Sequence, residues 1–288
     1  MDNFPKKYIL ITAAHNEEEF IEKTIFSVLS QTIKPIEWII VNDGSTDSTE
    51  SIVKKYTEEH QFIKLLKRNN SDGYNFSSKV FALKLGLSQI KFNDYKYIGV
   101  LDADVSFESN YYESLINELE KDATLGIVGG VYFDIVKNKK VFIKPSPYSI
   151  RGATQFFRRK CFEQIGGLQP LKYGGEDALA CYTARMYGWK IKNIEHLIVY
   201  HLRPTGTKII NIFKTRLRDG FVEYHLGYNC FFQMIKSLSR FNEKPFLIGS
   251  LLRIYGFWIL FFKGEKRILS TEVIRYIKKE QMKRLLKF

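Results

Sequence analysis

The sequence is poor in cysteine, and its few cysteines do not form the patterns that mark disulfide frameworks or metal centres. Only three of the 288 residues are cysteine, namely Cys161, Cys181 and Cys230. We therefore expect reduced thiols, as in a cytoplasmic protein. The segment 1–7 is polar and leads straight into an apolar run, so we also expect no signal peptide.

Two glycine-rich nucleotide-binding motifs are also missing from the sequence. No Gly-X-Gly-X-X-Gly follows the first apolar run, which argues against a dinucleotide-dependent dehydrogenase. No Gly-X-X-X-X-Gly-Lys-Ser/Thr occurs, which argues against a P-loop nucleotide hydrolase. The ends of the predicted strands are polar and acidic instead.

Acidic residues are scarce in the last third of the chain. Residues 1–202 contain 26 Lys and Arg against 25 Asp and Glu, whereas residues 203–288 contain 18 against 6. The C-terminal part therefore carries almost all of the formal net charge of +13. Such an asymmetry indicates an anionic partner, either a membrane surface or a nucleic acid.

The most apolar stretch, residues 246–262, favours the membrane surface. It has 17 residues with Arg253 near its middle, which is at the short limit for a bilayer span. No nucleic-acid-binding module is recognisable, and the stretch is too apolar for a groove that tracks phosphates. We expect residues 205–288 to form a helical segment that associates with an anionic membrane, with one helix lying in the interface. A helical appendage packed on the rest of the protein is the alternative.

Strand-like and helix-like segments alternate four times in the N-terminal part. The apolar runs that predict buried strands are Tyr8–Thr12, Glu37–Val41, Phe62–Leu66 and Tyr97–Leu101. This alternation predicts an α/β fold with a doubly wound, mostly parallel sheet and helices on both faces. We also predict a helix that begins in Glu17–Glu19 and a capping box formed by Asp47 and Glu50. A further helix is predicted over Ala178–Tyr187, closed by Gly188.

The strand predicted at Tyr97–Leu101 leads directly into Asp102-Ala103-Asp104. Buried parallel strands deliver ligand-binding groups at their carboxyl ends, where the sheet opens into a crevice. Two carboxylates there repel each other and need a cation. Hard oxygen ligands suit Mg²⁺ or Mn²⁺ with a substrate diphosphate as co-ligand. The alternative is a polar loop that caps the next helix.

Three further polar blocks accompany Asp102-Ala103-Asp104 along the chain. They are Thr12-Ala13-Ala14-His15-Asn16-Glu17, Val41-Asn42-Asp43-Gly44-Ser45-Thr46-Asp47 and Gly175-Glu176-Asp177. In order and spacing the four blocks resemble glycosyltransferase family 2, and the resemblance covers about residues 8–202. It implies an inverting enzyme of the GT-A fold that uses a nucleotide-diphosphate sugar, similar to bacterial and archaeal enzymes of cell-surface polysaccharide synthesis.

The resemblance implies which residues bind the nucleoside of the donor. Ala14 and Glu17 lie where such enzymes hold the base and ribose, and Asp43 lies where they contact the base. Asp72 matches a position that contacts the nucleoside, although its surroundings are less typical of the family. Asp102 would face the ribose or the sugar.

The same resemblance implies the metal-binding and catalytic groups. Asp104 would bind the metal and His201 would complete the metal site, with a structural histidine as the alternative. Arg203 and Arg216 or Arg218 would contact the diphosphate, and an exposed basic face is the alternative for these arginines.

Asp177, with Glu176 beside it, would take the proton of the attacking hydroxyl, which helps such a reaction by roughly 10²–10⁴-fold. The start of a helix would keep Asp177 ionised. The alternative is that Asp177 only caps the helix.

These expectations combine into one predicted activity. A catalytic GT-A domain over 1–204 would move one sugar from a nucleotide-diphosphate donor, first of all a UDP-sugar, to a lipid-linked hydroxyl acceptor with Mg²⁺ or Mn²⁺. The processive members of the family carry Gln-X-X-Arg-Trp, which is absent here and favours single-sugar transfer. The segment 205–288 would hold the enzyme on the inner face of the cell membrane. A sugar-phosphate nucleotidyltransferase and an inactive nucleotide-sugar-binding module are the alternatives.

Overall fold

The structure is a computed structural model and describes residues 6–69, 76–137, 139–203 and 211–286. Asp72 lies outside the described residues. The chain divides into two compact units, which we call the sheet unit and the helical unit. The sheet unit comprises Met1–Lys172 and Glu176–Pro204, and the helical unit comprises Tyr173–Gly175 and Thr205–Phe288.

A mixed β-sheet forms the centre of the sheet unit and has nine strands among the described residues. The strands β1 to β9 are Tyr8–Ala14, Glu37–Asn42, Ile63–Lys67, Tyr97–Val100, Val105–Phe107, Leu125–Val136, Lys139–Ile143, Phe156–Arg158 and Lys190–His201. Their order across the sheet is β3-β2-β1-β4-β8-β6-β9-β5, and β7 pairs with β6.

One half of the sheet is fully parallel. Strand β1 pairs in parallel with β2 and β4, so Ile11 lies between Ile39 and Val100, and β2 pairs in parallel with β3. Beyond β4 the sheet is mixed, because β8 runs antiparallel to β4 and β6 while β6 and β9 are parallel. The predicted α/β class is confirmed, and the parallel half brings three polar strand ends to one edge.

Helices cover both faces of this sheet, as predicted. The helices α1 to α6 are Ile21–Leu29, Thr49–Glu59, Phe76–Ser88, Tyr111–Lys121, Arg159–Gln164 and Glu176–Met186. Alternate residues of β1 enter different cores: Tyr8 and Leu10 pack with α1, α2 and α4, whereas Ile9 and Ile11 pack with α3, α5 and α6. This alternation follows from the two-residue period of a strand buried on both faces. Gly188 follows α6 with a φ of 86° and closes it as predicted.

Two local predictions around α1 and α2 are wrong. Helix α1 begins at Ile21, and the Glu17 carbonyl instead closes a turn by accepting the amides of Phe20 and Ile21. Asp47 accepts the Thr49 amide at 3.0 Å, but Glu50 does not complete a capping box. The Glu50 carboxylate instead accepts a hydrogen bond from Asn42 at 2.9 Å and forms an ion pair with Lys67 at 2.5 Å. These longer-range partners compete with the reciprocal bond that the spacing suggests.

The helical unit contains four helices among the described residues. The helices α7 to α10 are Ile212–His225, Cys230–Leu238, Ile248–Phe262 and Thr271–Leu285. Asn211, Asn229 and Ser270 cap α7, α8 and α10 by accepting amide bonds in the first turn. Within the described ranges, no helix is both long enough and apolar enough to cross a membrane.

Helices α7 and α9 approach each other closely around a buried ion pair. Arg253 donates to Glu223 at 2.9 Å, and Lys236 lies 3.0 Å from the same carboxylate. Burial alone would raise the pKa of Glu223, but the charges of Lys236 and Arg253 outweigh it and lower that pKa. A Cβ on Gly220 would lie 2.2 Å from the Arg253 carbonyl oxygen, so the two backbones need glycine at this crossing.

Candidate active site

The ends of β1 and β2 form one rim of the candidate site. The Asp43 amide donates to the Ala14 carbonyl at 2.8 Å, so two predicted nucleoside-binding positions are direct neighbours. Asp43 is 1% exposed, and its carboxylate is held by Arg68 and by the Ser78 hydroxyl, the latter at 2.5 Å. These donors orient the carboxylate at the strand end.

Glu17 and Arg203 form a two-pronged ion pair beside this rim. The Arg203 Nη2 atom lies 2.8 Å from Glu17 Oε2, and Nη1 lies 3.2 Å from Oε1. The guanidinium also stands 5.1 Å from the centre of the Phe20 ring. The structure therefore places the predicted diphosphate-binding arginine next to a predicted nucleoside-binding residue.

Asp102 stands at the end of β4 and is paired with a lysine. Its Oδ1 lies 2.6 Å from the Nζ of Lys79, which belongs to the first turn of α3. The Asp102 amide donates to the Ala153 carbonyl at 2.9 Å. This bond ties the end of β4 to the short 3-10 turn Gly152–Thr154.

Asp104 and His201, the two predicted metal ligands, lie side by side. His201 Nε2 is 3.5 Å from Asp104 Oδ1, and Nδ1 is 3.2 Å from Asp134 Oδ1 on β6. Backbone pairing sets this arrangement, because His201 is the register partner of both Asp134 and Val105. Burial lowers the pKa of His201, but the hydrogen bonds to both carboxylates outweigh it and raise that pKa to about 9.

The donor set here fits a hard cation held partly by substrate. No group of three or more His, Cys, Asp or Glu side chains is arranged to hold a metal by itself anywhere in the described ranges. Asp104 and His201 provide one carboxylate and one imidazole. Mg²⁺ sites commonly use one or two carboxylates plus substrate phosphates, and Mn²⁺ accepts the same oxygen ligands.

Asp177 reaches the same turn as Asp102. Its Oδ2 accepts the Gly152 amide at 3.2 Å, and its Oδ1 accepts the Ala178 amide at 2.7 Å. A Cβ on Gly152 would lie 3.1 Å from the Asp177 Cβ, which is a tight contact. The Asp102 backbone amide bonds to Ala153 and the Asp177 carboxylate bonds to Gly152, so two adjacent residues of one turn contact both aspartates.

Glu176 lies close enough to these groups for their charges to affect its pKa. Burial raises the pKa of Glu176, and the negative charges of Asp177 and Asp102 raise it further. The positive charge of Lys79 acts in the opposite direction. Four ionisable groups from β4, α3 and α6 therefore interact, although they are distant along the chain.

Sequence reasoning missed several residues of this site. They are Arg68, Ser78, Lys79 and Asp134. Asp134 carried a usable signal in the sequence, since it is an acidic residue at the end of an apolar, strand-like run. Arg68, Ser78 and Lys79 had none, because their partners at strand ends become neighbours only in the folded sheet. His196, the other histidine of β9, is exposed.

More than half of the chain matches the sequence model of one protein family. Residues 9–172 match the family described as Glycosyl transferase family 2. Poly-beta-1,6-N-acetyl-D-glucosamine synthase of Staphylococcus aureus (strain COL) is 33% identical over 120 residues, which are 42% of this chain and 27% of that protein. The chain spans less than half of the length of the curated relatives it matches.

Two solved structures share the fold at low sequence identity. GalNAc-T7 with UDP, GalNAc and Mn²⁺ has a TM-score of 0.58 and 18% identity, and the match covers 70% of this chain and 45% of that one. Mannosyltransferase PcManGT from Pyrobaculum calidifontis in complex with GDP-Man and Mn²⁺ has a TM-score of 0.56 and 17% identity, covering 98% and 80%. The likeness confirms the expected GT-A architecture.

Proposed function

We propose a function from one premise: the chain belongs to glycosyltransferase family 2. The protein transfers a single sugar from a nucleotide-diphosphate sugar to a hydroxyl acceptor, with inversion at the anomeric carbon. The observation that supports this proposal is the shared turn Gly152–Thr154, whose Ala153 carbonyl accepts the Asp102 amide and whose Gly152 amide donates to the Asp177 carboxylate. Donor-binding and proton-accepting carboxylates then face one reaction space.

The nucleoside of the donor lies along the ends of β1 and β2 in this proposal. Asp43 accepts an N–H of the base, while Ala14 and Glu17 contact the base and ribose. Asp102 faces the ribose or the sugar. Arg203, which is paired with Glu17, is the proposed contact of the diphosphate because its guanidinium carries the fork geometry that phosphates favour. We propose a UDP-sugar as the first donor to test and a GDP-sugar as the second.

Asp104 and His201 are the proposed ligands of Mg²⁺ or Mn²⁺. When bound, such a cation neutralises the charge that develops on the leaving diphosphate. Asp104, which directly precedes β5, supplies a carboxylate oxygen. His201 supplies Nε2 from the end of β9, and Asp134 holds its ring by the opposite nitrogen.

Asp177 is the proposed general base. Inversion needs the acceptor hydroxyl to attack opposite the leaving diphosphate, and a hydroxyl is a poor nucleophile until its proton is taken. The two hydrogen bonds from the Gly152 and Ala178 amides orient the Asp177 carboxylate. Glu176 has a raised pKa beside it and is less suited to hold a negative charge.

The acceptor is proposed to be lipid-linked, in cell-surface glycan synthesis on the cytoplasmic side of the membrane. The support is the basic composition of residues 203–288, which contain 18 Lys and Arg but only 6 Asp and Glu. Each basic residue near an anionic leaflet contributes about 1 kcal/mol to attraction. Residues 205–288 are accordingly proposed as the segment that associates with the membrane.

Substitution of Asp177 by Asn tests the proposal. Asn keeps an oxygen that accepts an amide bond but cannot take the proton, so we expect kcat to fall by about 10²–10⁴-fold. Donor binding, measured by calorimetry with UDP-sugars and GDP-sugars in the presence of Mn²⁺, stays near the wild-type value. The matched control is Glu113→Gln, which neutralises a first-turn acid of α4. Equal turnover in Asp177→Asn and wild type would remove the base assignment.

The reaction product separates the proposal from its alternatives. A glycosyltransferase releases a nucleoside diphosphate, whereas a sugar-phosphate nucleotidyltransferase releases pyrophosphate from a nucleoside triphosphate. An inactive binding module binds the donor and releases neither product with any acceptor. Inversion is read from the anomeric configuration of the product by NMR.

A further inference from the structure

Helix α9 has its apolar face on the outside. The exposed residues of α9 include Ile248, Leu251, Tyr255 and Phe262, which are 51%, 61%, 57% and 79% exposed. The buried face combines small and polar residues with two apolar ones, namely Gly249, Ser250, Arg253, Gly256, Phe257 and Leu260. A helix on a water-exposed surface normally presents polar residues on its outer face, whereas α9 presents large apolar side chains there.

The buried face of α9 is fixed by specific contacts to α7. Arg253 is held by Glu223 at 2.9 Å, and Gly256 is so close to α7 that a Cβ there would lie 2.3 Å from the Leu217 carbonyl oxygen. Rotating α9 to bury its apolar face would leave the Arg253 and Glu223 charges buried without each other. The outward orientation of the apolar face is therefore built into the helix pair.

Helix α8 extends the same apolar surface. Phe231, Met234, Ile235 and Leu238 recur at helical spacing and are 60%, 40%, 39% and 52% exposed. Gln233, on the opposite face of α8, donates to the Arg253 carbonyl at 3.3 Å and ties the two helices together. Phe241, Phe246 and Leu247 in the connection are also exposed. We call these exposed residues of α8, α9 and their connection the α8–α9 surface.

The α8–α9 surface is bordered by basic residues. Lys244 precedes α9 and Lys263 and Lys266 follow it, and all three are exposed. An apolar surface with lysines at its edge matches the layered chemistry of a membrane, where acyl chains lie below anionic headgroups. A second protein chain would satisfy the apolar residues but gives no reason for the lysines at the border.

We propose that the α8–α9 surface inserts into the headgroup region of an anionic membrane, with α9 lying parallel to the membrane plane. This inference deepens the proposed function, since it identifies which surface would bring the enzyme to a lipid-linked acceptor. The helix lies on the membrane because α9 has only 15 residues and an arginine on its buried face. The apolar side chains drive insertion into the membrane, and the bordering lysines favour anionic lipids by attracting their headgroups.

Vesicle sedimentation with the full-length chain tests the surface. We expect binding to vesicles of phosphatidylcholine mixed with phosphatidylglycerol, weaker binding to phosphatidylcholine alone, and weakening by salt. The double substitution Phe231→Ser with Leu251→Ser should lower the partition coefficient about tenfold or more, because two side chains no longer enter the membrane. The control is Phe26→Ser, which removes an aromatic side chain that is 56% exposed on α1 in the sheet unit.

Three results would overturn the inference. They are absence of binding to anionic vesicles, equal binding by the double variant, and a concentration-dependent dimer in water that the double variant abolishes.

Two controls accompany the vesicle experiment. Circular dichroism and the melting temperature should show that the double variant is folded, because both positions are exposed. Transfer to a water-soluble acceptor analogue should be unchanged in the double variant. A wild type that binds vesicles but shows no transferase activity would defeat the proposed function and leave the docking surface standing.

Discussion

His201 owes its position to two backbone pairings, and two buried carboxylates lie beside its ring. The residue lies between β6 and β5, so Asp134 and Asp104 reach opposite nitrogens of the same imidazole. A carboxylate on one nitrogen fixes the tautomer and leaves the other nitrogen to face a cation. Asp134 is therefore a positioning residue for the proposed metal site.

Replacing Asp134 by Ala should weaken Mn²⁺ binding about 10–100-fold, because the imidazole loses the partner that orients it. Mn²⁺ affinity is measured by calorimetry or by the electron paramagnetic resonance signal of free Mn²⁺, in the presence of the nucleoside diphosphate. Asp134→Asn keeps an oxygen that accepts from Nδ1–H and should retain most of the affinity. An Asp134→Ala protein with wild-type Mn²⁺ affinity would contradict the positioning role.

At the scale of elements, the crossing of α7 and α9 depends on glycine. Gly220 and Gly256 bring the two backbones together, and Glu223 and Arg253 form an ion pair within the same crossing. Small residues let the helices approach closely enough for these charges to be buried together. The contacts fix both the packing and the direction in which the apolar face of α9 points.

The substitution Gly256→Val should destabilise the helical unit by about 1–3 kcal/mol or more, because the new side chain cannot fit against the Leu217 carbonyl. Chemical denaturation followed by circular dichroism measures the change. Leu251→Ala is the matched control on the same helix, since Leu251 is 61% exposed and should change stability by no more than about 0.5 kcal/mol. Similar stability losses in the two variants would argue against a tight crossing.

At the scale of the whole molecule, the donor and the cation should stabilise the fold together. Ligands that bind only the folded state raise its stability by mass action, by about 2.7 kcal/mol at a hundredfold excess over Kd. We expect the melting temperature to rise more with UDP-sugar and Mn²⁺ together than with either alone, because Asp104 and His201 leave coordination positions for phosphate oxygens. Calorimetric melting measures the effect. Additive shifts from the two ligands would indicate separate sites.

Local sequence determined the strands, the fold class and the motif residues. Apolar runs predict β1 to β4 because a strand buried on both faces needs continuous apolar residues. The short strands β5 and β8 were not predicted, since three residues each are too few to show a period. Asp102, Asp104 and Asp177 were identified by order and spacing, and the structure brings them to one end of the sheet.

Only the tertiary structure decided the contacts between residues that are distant along the chain. Asp134 meets His201 through strand register, and Lys79 meets Asp102 where α3 crosses the end of β4. The sequence showed that residues 246–262 are apolar but not which face of α9 is exposed, because the Arg253–Glu223 pair that decides it forms between two helices. Spacing along a chain encodes local periodicity, whereas pairing between elements is set by the packing of the whole fold.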